Sequence, residues 1–324
     1  MVQVRRNLVT LGGGHGQSTA IEAMAALDVE LTAIPCVTDE GGCSGRVRRE
    51  VNLPPPGDAR RCLGTLARDR ARARAFEERT ARASQGGRSL GNLMIAKFAD
   101  GDLQRGCDLA AEWLSSRGRV VPAALSAMTL HAVDVDGTHL HGELEIERSM
   151  ARIARVEVDG DARLNPEAIA AIRAADVVVL GPGSFFTSVL AAVAAPGIAA
   201  ALAATRARIV FFANLGSEGP QTDGMSLPCY VRVLREHVLR WSGAELGEIT
   251  VVAQGERETW SALDAKTRLR RAPLAEGNAH SVTAILHAMR DVTGSTLRAS
   301  SRVSGGRRAS SSSRLWGRRT LVRG

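Results

Sequence analysis

The sequence predicts an α/β protein: a Rossmann-like parallel sheet with helices on both faces and an inserted β-hairpin. Three observations carry that prediction. Short apolar runs of strand length alternate with longer helical patterns, the order that βαβ units require. Two glycine-rich loops, Gly12–Ser18 and Thr38–Arg46, each follow a strand-like run near the start of the chain. A third, Gly181-Pro182-Gly183-Ser184, follows a later one.

The elements read as follows along the chain. Leu8–Leu11 is a buried strand that breaks at Gly12-Gly13-Gly14. Ser18 to Leu27 is a helix, with Ile21, Met24 and Leu27 at helical spacing. Leu31–Val37 is the second strand and runs into Thr38-Asp39-Glu40-Gly41-Gly42-Cys43-Ser44-Gly45-Arg46. Pro54-Pro55-Pro56-Gly57-Asp58 is a rigid turn, with Asp58 placed to cap a helix starting near Ala59. Arg60 to Arg82 is one basic helical stretch; Asp and Glu among its arginines mark a solvated face rather than a nucleic-acid arm. Ser89–Phe98 and Leu103–Ser115 follow as helices.

Met128–Val135 and Thr138–Glu147 alternate apolar and polar residues around Asp136-Gly137, which predicts an antiparallel hairpin inserted over about 126–158. Helix Pro166–Ala174 has Asn165 as its N-cap and proline at its first position. Asp176–Leu180 is a strand that Gly181–Ser184 turns into a helical run. Ile209–Ala213 ends at Asn214 and a polar loop, Ser226–Trp241 is a helix, and Ile249–Ala253 a late strand. Residues 1–297 read as one domain. Residues 298–324 are Ser, Arg and Gly with few apolar side chains, the composition of a disordered tail.

Composition narrows the function. At 324 residues and 44 % hydrophobic the chain can bury a sizeable core. Aromatics are 3 %, with Tyr230 the single tyrosine, so base-stacking platforms are poorly supplied. The net charge of +8 equals the eight arginines between Arg298 and Gly324, a stretch without Asp, Glu or Lys. The sequence pI near 10.2 therefore describes a tail and not a binding face, and nucleic acid is not an expected partner. Five cysteines with no CxxC pair point to a reducing compartment and away from structural zinc. The longest apolar stretch, around Val189–Ala204, is interrupted by Pro196-Gly197 and is too weakly apolar to span a bilayer. A cytoplasmic protein is expected.

Glycine loops ahead of helices let the backbone approach an anion. Gly12, Gly13, Gly14, Gly16 and Ser18 have the position of a dinucleotide or P-loop turn but not its letters: the third glycine of G-x-G-x-x-G and the lysine of G-x-x-x-x-G-K-[ST] are both absent. His15, inside that loop, is a candidate general acid or a structural histidine. Asp39 and Glu40, at a strand's carboxyl end, are candidate Mg²⁺ ligands, helix caps or partners of sugar hydroxyls. Arg46 suits a phosphate, while Arg48 and Arg49 fit a solvated helix face. Gly181, Gly183, Ser184 and Thr187 form the third loop, and in an open sheet such loops gather at the carboxyl ends of strands.

Taken together, GGGHGQST, TDEGGCSGRVRRE with PPPGDARRCLGTLA, SLGNL at Ser89–Leu93, HGELEI and GPGSFFTS resemble the CofD-like superfamily. The closer likeness is to its YvcK branch, the gluconeogenesis factors that bind UDP-sugars, and it runs from about Val9 to Val252. The resemblance implies a Rossmann-like sheet and a phosphorylated small molecule, here a nucleotide sugar of the UDP-N-acetylglucosamine class, held by the glycine loops with Ser44, Asp58, Asn92 and Asn214. A homodimer is the assembly left open. The superfamily's other branch, the Mg²⁺-dependent 2-phospho-L-lactate transferases, carries a lysine after the first glycine loop and a PDLDT-type motif; this sequence has neither. His15, Glu40 and Cys43 stand where the YvcK branch usually has Thr, Asp and Ser.

Overall fold

The computed structural model describes residues 5–80, 87–159, 162–255 and 263–294. The opening apolar run is strand β1 (Arg6–Gly12), buried from Leu8 onward. It leads directly into helix α1 (Gly14–Met24). That helix begins four residues before Ser18, because Gly13 takes an extended N-cap conformation and the Gln17 N–H already bonds the Gly13 carbonyl at 3.3 Å. Most of the first glycine loop is thus the first turn of a helix. The same happens after β2 (Val29–Pro35), where the second glycine run becomes helix α2 (Gly42–Val51).

The basic stretch expected as one helix is two, α3 (Gly57–Leu66) and α4 (Arg70–Glu77). The break has a local cause: Asp69 caps α4 by accepting the N–H groups of Ala71 and Arg72, both at 3.0 Å. Helices α5 (Leu90–Ala99) and α6 (Leu103–Trp113) follow as expected, then strand β3 (Arg119–Val120).

The inserted hairpin is a three-stranded antiparallel sheet. Strand β4 (Leu130–Asp134) pairs with β5 (His139–His141) on one side and with β6 (Ile153–Val158) on the other. The second strand stops well short of Glu147. Gly142 (φ +88°) turns the chain, and helix α7 (Glu143–Arg148) starts with Glu143 and Glu145 in its first turn, where carboxylates suit the helix dipole.

Helix α8 (Pro166–Ala174) starts where expected, with the Asn165 side chain accepting the Glu167 N–H at 3.0 Å. Strand β7 (Val177–Leu180) leads through Gly181–Ser184 into a π-helical turn, Phe185–Leu190, then α9 (Ala191–Val193) and α10 (Ile198–Ala204). Next come β8 (Arg208–Phe212), α11 (Leu227–Ser242) and β9 (Ile249–Ala253). Edge strand β10 (Thr267–Arg271), a small pair β11 (Ala275–Glu276) and β12 (Ala279–His280), and α12 (Val282–Thr293) complete the fold. The basic tail, 298–324, lies outside the described residues.

Seven strands form one parallel sheet in the order β10-β9-β8-β7-β1-β2-β3. Strand β1 sits between β2 and β7, so the chain winds outward in both directions from it. That arrangement places a switch point between β1 and β7, and α/β sheets of this kind bind ligands at the carboxyl ends of the strands there. The strands nearest it, β1 and β7, are buried on both faces through Leu8, Leu11 and Val178–Leu180, each such side chain adding about 1.5–3 kcal/mol of burial. Among the described residues no single helix is long and apolar enough to cross a membrane.

Candidate functional site at the sheet switch point

The loops after β1 and β7 touch. A Cβ placed on Gly16 would lie 2.3 Å from the Pro182 carbonyl oxygen and 2.7 Å from the Gly183 nitrogen, closer than a side chain allows. Glycine at position 16 is therefore what lets the two loops pack. Asn214, at the end of β8, clamps the second loop from its far side. Its Oδ1 accepts the Gly183 N–H (3.3 Å) and its Nδ2 donates to the Gly183 carbonyl (2.8 Å).

Asp58 does not cap its own helix. α3 begins at Gly57 behind Pro56, and Asp58 reaches across to α1, where Oδ1 accepts the Gly14 N–H at 3.1 Å. Its Oδ2 accepts the Cys36 thiol proton at 3.2 Å, and the Arg61 guanidinium lies 3.7 Å away. An amide expected to meet a ligand anion thus already holds a protein carboxylate. Arg60, the fourth residue of α3, is buried against Glu77 and Gly91. We expect Asp58→Asn to cost about 1–3 kcal/mol, since one charged acceptor serves a buried thiol and a partly buried amide. A chemical-denaturation midpoint unchanged from wild type would contradict this.

His15 faces Arg61, whose Nη1 lies 3.0 Å from its Nε2. Arginine can only donate, so the imidazole accepts there, neutral and protonated on Nδ1. Arg61, reinforced by burial, pushes the His15 pKa down. As arranged, Nε2 has no proton to give as a general acid. Ser18 bonds back to the Gly14 carbonyl at 3.4 Å.

Asp39 accepts the Gly41 N–H at 2.8 Å and a hydrogen bond from buried Ser44, yet burial raises its pKa. The Glu40 carboxylate lies elsewhere, against Gly142, where an added Cβ would be 1.9 Å from its Oε1. The two adjacent acids are thus held by different partners. Asp39 instead shares its surroundings with Glu143, which accepts the Thr38 hydroxyl proton at 2.9 Å and is pushed up to about 9, by burial first and Asp39 next. Arg46 lies on α2. Asn92, fully buried on α5, donates from Nδ2 to Cys43 Sγ at 3.3 Å.

Beside the joined loops runs a cleft of about 520 Å³, lined by Gly16, Gly183, Ser184, Asn214, Glu218 and His280 among others. Glu218 anchors it. Its Oε2 accepts the Phe185 N–H at the start of the π-helical turn (2.8 Å), Ser184 bonds it as well, and Thr187 donates to Ser184 at 2.8 Å. Burial raises Glu218 to about 7. Sequence reasoning passed over Glu218, Glu143 and Cys36. The signal for Glu218 was its place in the polar loop after β8, one strand from the switch point; nothing in the sequence joined Glu143 to residues a hundred positions earlier.

The family described as 2-phospho-L-lactate transferase CofD matches residues 8–285. The chain belongs to the CofD family. Within that family its similar relatives are gluconeogenesis factors. It is 37 % identical over 238 residues to the gluconeogenesis factor of Halalkalibacterium halodurans, covering 72 % of this chain and 74 % of that protein. It is 34 % identical over 235 residues to a putative gluconeogenesis factor of Thermotoga maritima (71 % and 75 %). A crystal structure of a UPF0052 family member from Bacillus halodurans superimposes with a TM-score of 0.79 at 30 % identity, covering 89 % of this chain and 99 % of that one. The mostly parallel, helix-flanked sheet expected from the sequence is thereby the family's fold.

Proposed function

We propose that this CofD-family chain is a cytoplasmic nucleotide-sugar-binding protein of the gluconeogenesis-factor type, acting in carbon metabolism or cell-wall supply. The observation that carries the reading is the contact between the Gly13–Gly16 turn and the Gly181–Ser184 loop at the switch point. The amides at the start of α1, at His15 and Gly16, and the Ser184 amide of the second loop suit a diphosphate, the Gly181 and Gly183 amides being taken by Leu11 and Asn214. Arg46 and Arg61 supply positive charge. Asp39 suits a ribose or sugar hydroxyl, and the adjoining cleft lies within the size range of ligand pockets.

The second reading is a Mg²⁺-dependent transferase of the 2-phospho-L-lactate transferase type, favoured by the family description. Among the described residues no group of three or more His, Cys, Asp or Glu side chains is arranged to hold a metal. Mg²⁺ needs only one or two carboxylates when ligand phosphates and water complete its shell; on this reading Asp39 would supply one, while Glu40, against Gly142, would have to swing to supply another.

Calorimetric titration of UDP-N-acetylglucosamine, with and without Mg²⁺, separates the readings. Micromolar, metal-independent binding without turnover is expected. No heat at millimolar ligand would overturn the first reading, and Mg²⁺-dependent product from a nucleotide-activated phospholactate would establish the second.

A further inference from the structure

The three-stranded sheet carries a histidine pair that the switch-point site does not use. His131 on β4 and His141 on β5 are directly opposite in the antiparallel register. The flanking hydrogen bonds, Gly142 N–H to the Leu130 carbonyl (2.7 Å) and Asp134 N–H to the Thr138 carbonyl (3.0 Å), belong to the neighbouring pairs. His131 and His141 therefore form a non-hydrogen-bonded pair, the kind whose side chains approach most closely. Their Nδ1 atoms are 3.0 Å apart, and both rings lie on the solvent-facing side of the sheet with exposed His139.

On the far side of the His131 ring, Nε2 lies 2.6 Å from Asp159 Oδ1. An ionised carboxylate only accepts, so Nε2 carries the proton and the Nδ1 lone pair is turned toward His141. Asp159 is itself held by Thr129, through the backbone and the hydroxyl. A carboxylate that fixes the outer nitrogen of an imidazole while the inner nitrogen faces a second imidazole is the support that metal-ligating histidines ordinarily have.

We propose that His131 Nδ1 and His141 Nδ1 bind a divalent transition-metal ion of the imidazole-preferring class (Cu²⁺, Ni²⁺ or Zn²⁺), with Asp159 as the positioning residue. Two nitrogens 3.0 Å apart, each about 2.0–2.1 Å from a metal, subtend an angle of about 90–95°, the cis angle of tetragonal Cu²⁺ or Ni²⁺. Binding replaces one N–H···N contact with two metal–nitrogen bonds; the proton that His141 holds on Nδ1 moves through solvent to its exposed Nε2, so both rings ligate as neutral imidazoles and no net proton is released. Two protein ligands leave the other positions to water, in keeping with the absence of any three-residue metal group among the described residues. The site is independent of the nucleotide-sugar reading.

The test is calorimetry of the tag-free full chain with NiCl₂ and ZnCl₂, together with the electron paramagnetic resonance spectrum of the Cu²⁺-loaded protein. One equivalent binding in the micromolar range is expected, with nitrogen hyperfine structure from two imidazoles. His131→Ala and His141→Ala should each weaken binding at least 30-fold, and Asp159→Asn about 10–100-fold. Thermal melting of the metal-free variants checks that they fold; His141→Gln serves if His141→Ala does not. Absent binding at 1 mM metal, or binding that survives both histidine substitutions, overturns the proposal.

Discussion

Gly16→Ala is expected to reduce nucleotide-sugar binding at least 100-fold while leaving a folded protein. The added methyl meets the backbone of Pro182 and Gly183 at 2.3–2.7 Å, against 3.4–4 Å for ordinary contact. No flexible side chain is present to yield, so the two loops must part by about 1 Å, a displacement that costs about 100-fold when groups must converge on one ligand. Overpacking adds about 1–3 kcal/mol of destabilisation. Calorimetry and far-ultraviolet circular dichroism separate the two effects. A folded Gly16→Ala protein with wild-type affinity would mean that the loops do not act on a common ligand.

The second large effect concerns stability. Glu143 is held at about 9 in the folded chain, from the ordinary 4.5, by burial and by Asp39. Between those values the folded protein keeps a proton that the unfolded chain releases. The linkage sign is therefore that wild-type stability falls as pH rises from about 4.5 to 9. Glu143→Gln removes the titration and keeps an acceptor for Thr38. The variant should match wild type near pH 5 and exceed it by about 4 kcal/mol at pH 8, a rise of about 6 °C in Tm. Melting curves at the two pH values decide it: parallel behaviour of both proteins would show that Glu143 ionises in the fold without penalty. Glu218, raised to about 7 by burial, adds a slope of the same sign that ends nearer neutrality.

The sheet was legible because each central strand is a short apolar run closed by glycine or a polar residue, as at Leu8–Gly12, Val177–Gly181 and Ile249–Ala253. The side-chain cap at Asn165 was legible, the one at Asp69 was hidden inside a continuous basic run, and starts capped by glycine, as at Gly13 and Gly41, were illegible. A glycine cap leaves no mark that separates the first turn of a helix from a loop. Edge strand β10 escaped notice because Thr-Arg-Leu-Arg-Arg shows one apolar residue, its other side chains facing outward. The site was half legible. Gly16, Gly183 and Asn214 followed from their positions after strands. The partners that fix their roles, such as Asp58 on the Gly14 amide or Glu218 on the Phe185 amide, come from distant elements, and spacing along the chain does not encode those meetings.

The meeting of β1 and β7 also bears on synthesis. One wall of the site emerges from the ribosome with Gly12–Gly16, but the other, Gly181–Ser184, and its clamp Asn214 follow more than half a chain later. Contacts of such sequence separation form late, after the loop closure they require. Until then the amide of Gly14 depends on Asp58, an acid from its own early segment, which occupies the helix end before any ligand can. The nascent N-terminal half thus carries its own stand-in anion, and on the proposed function ligand capture would belong to the finished molecule alone.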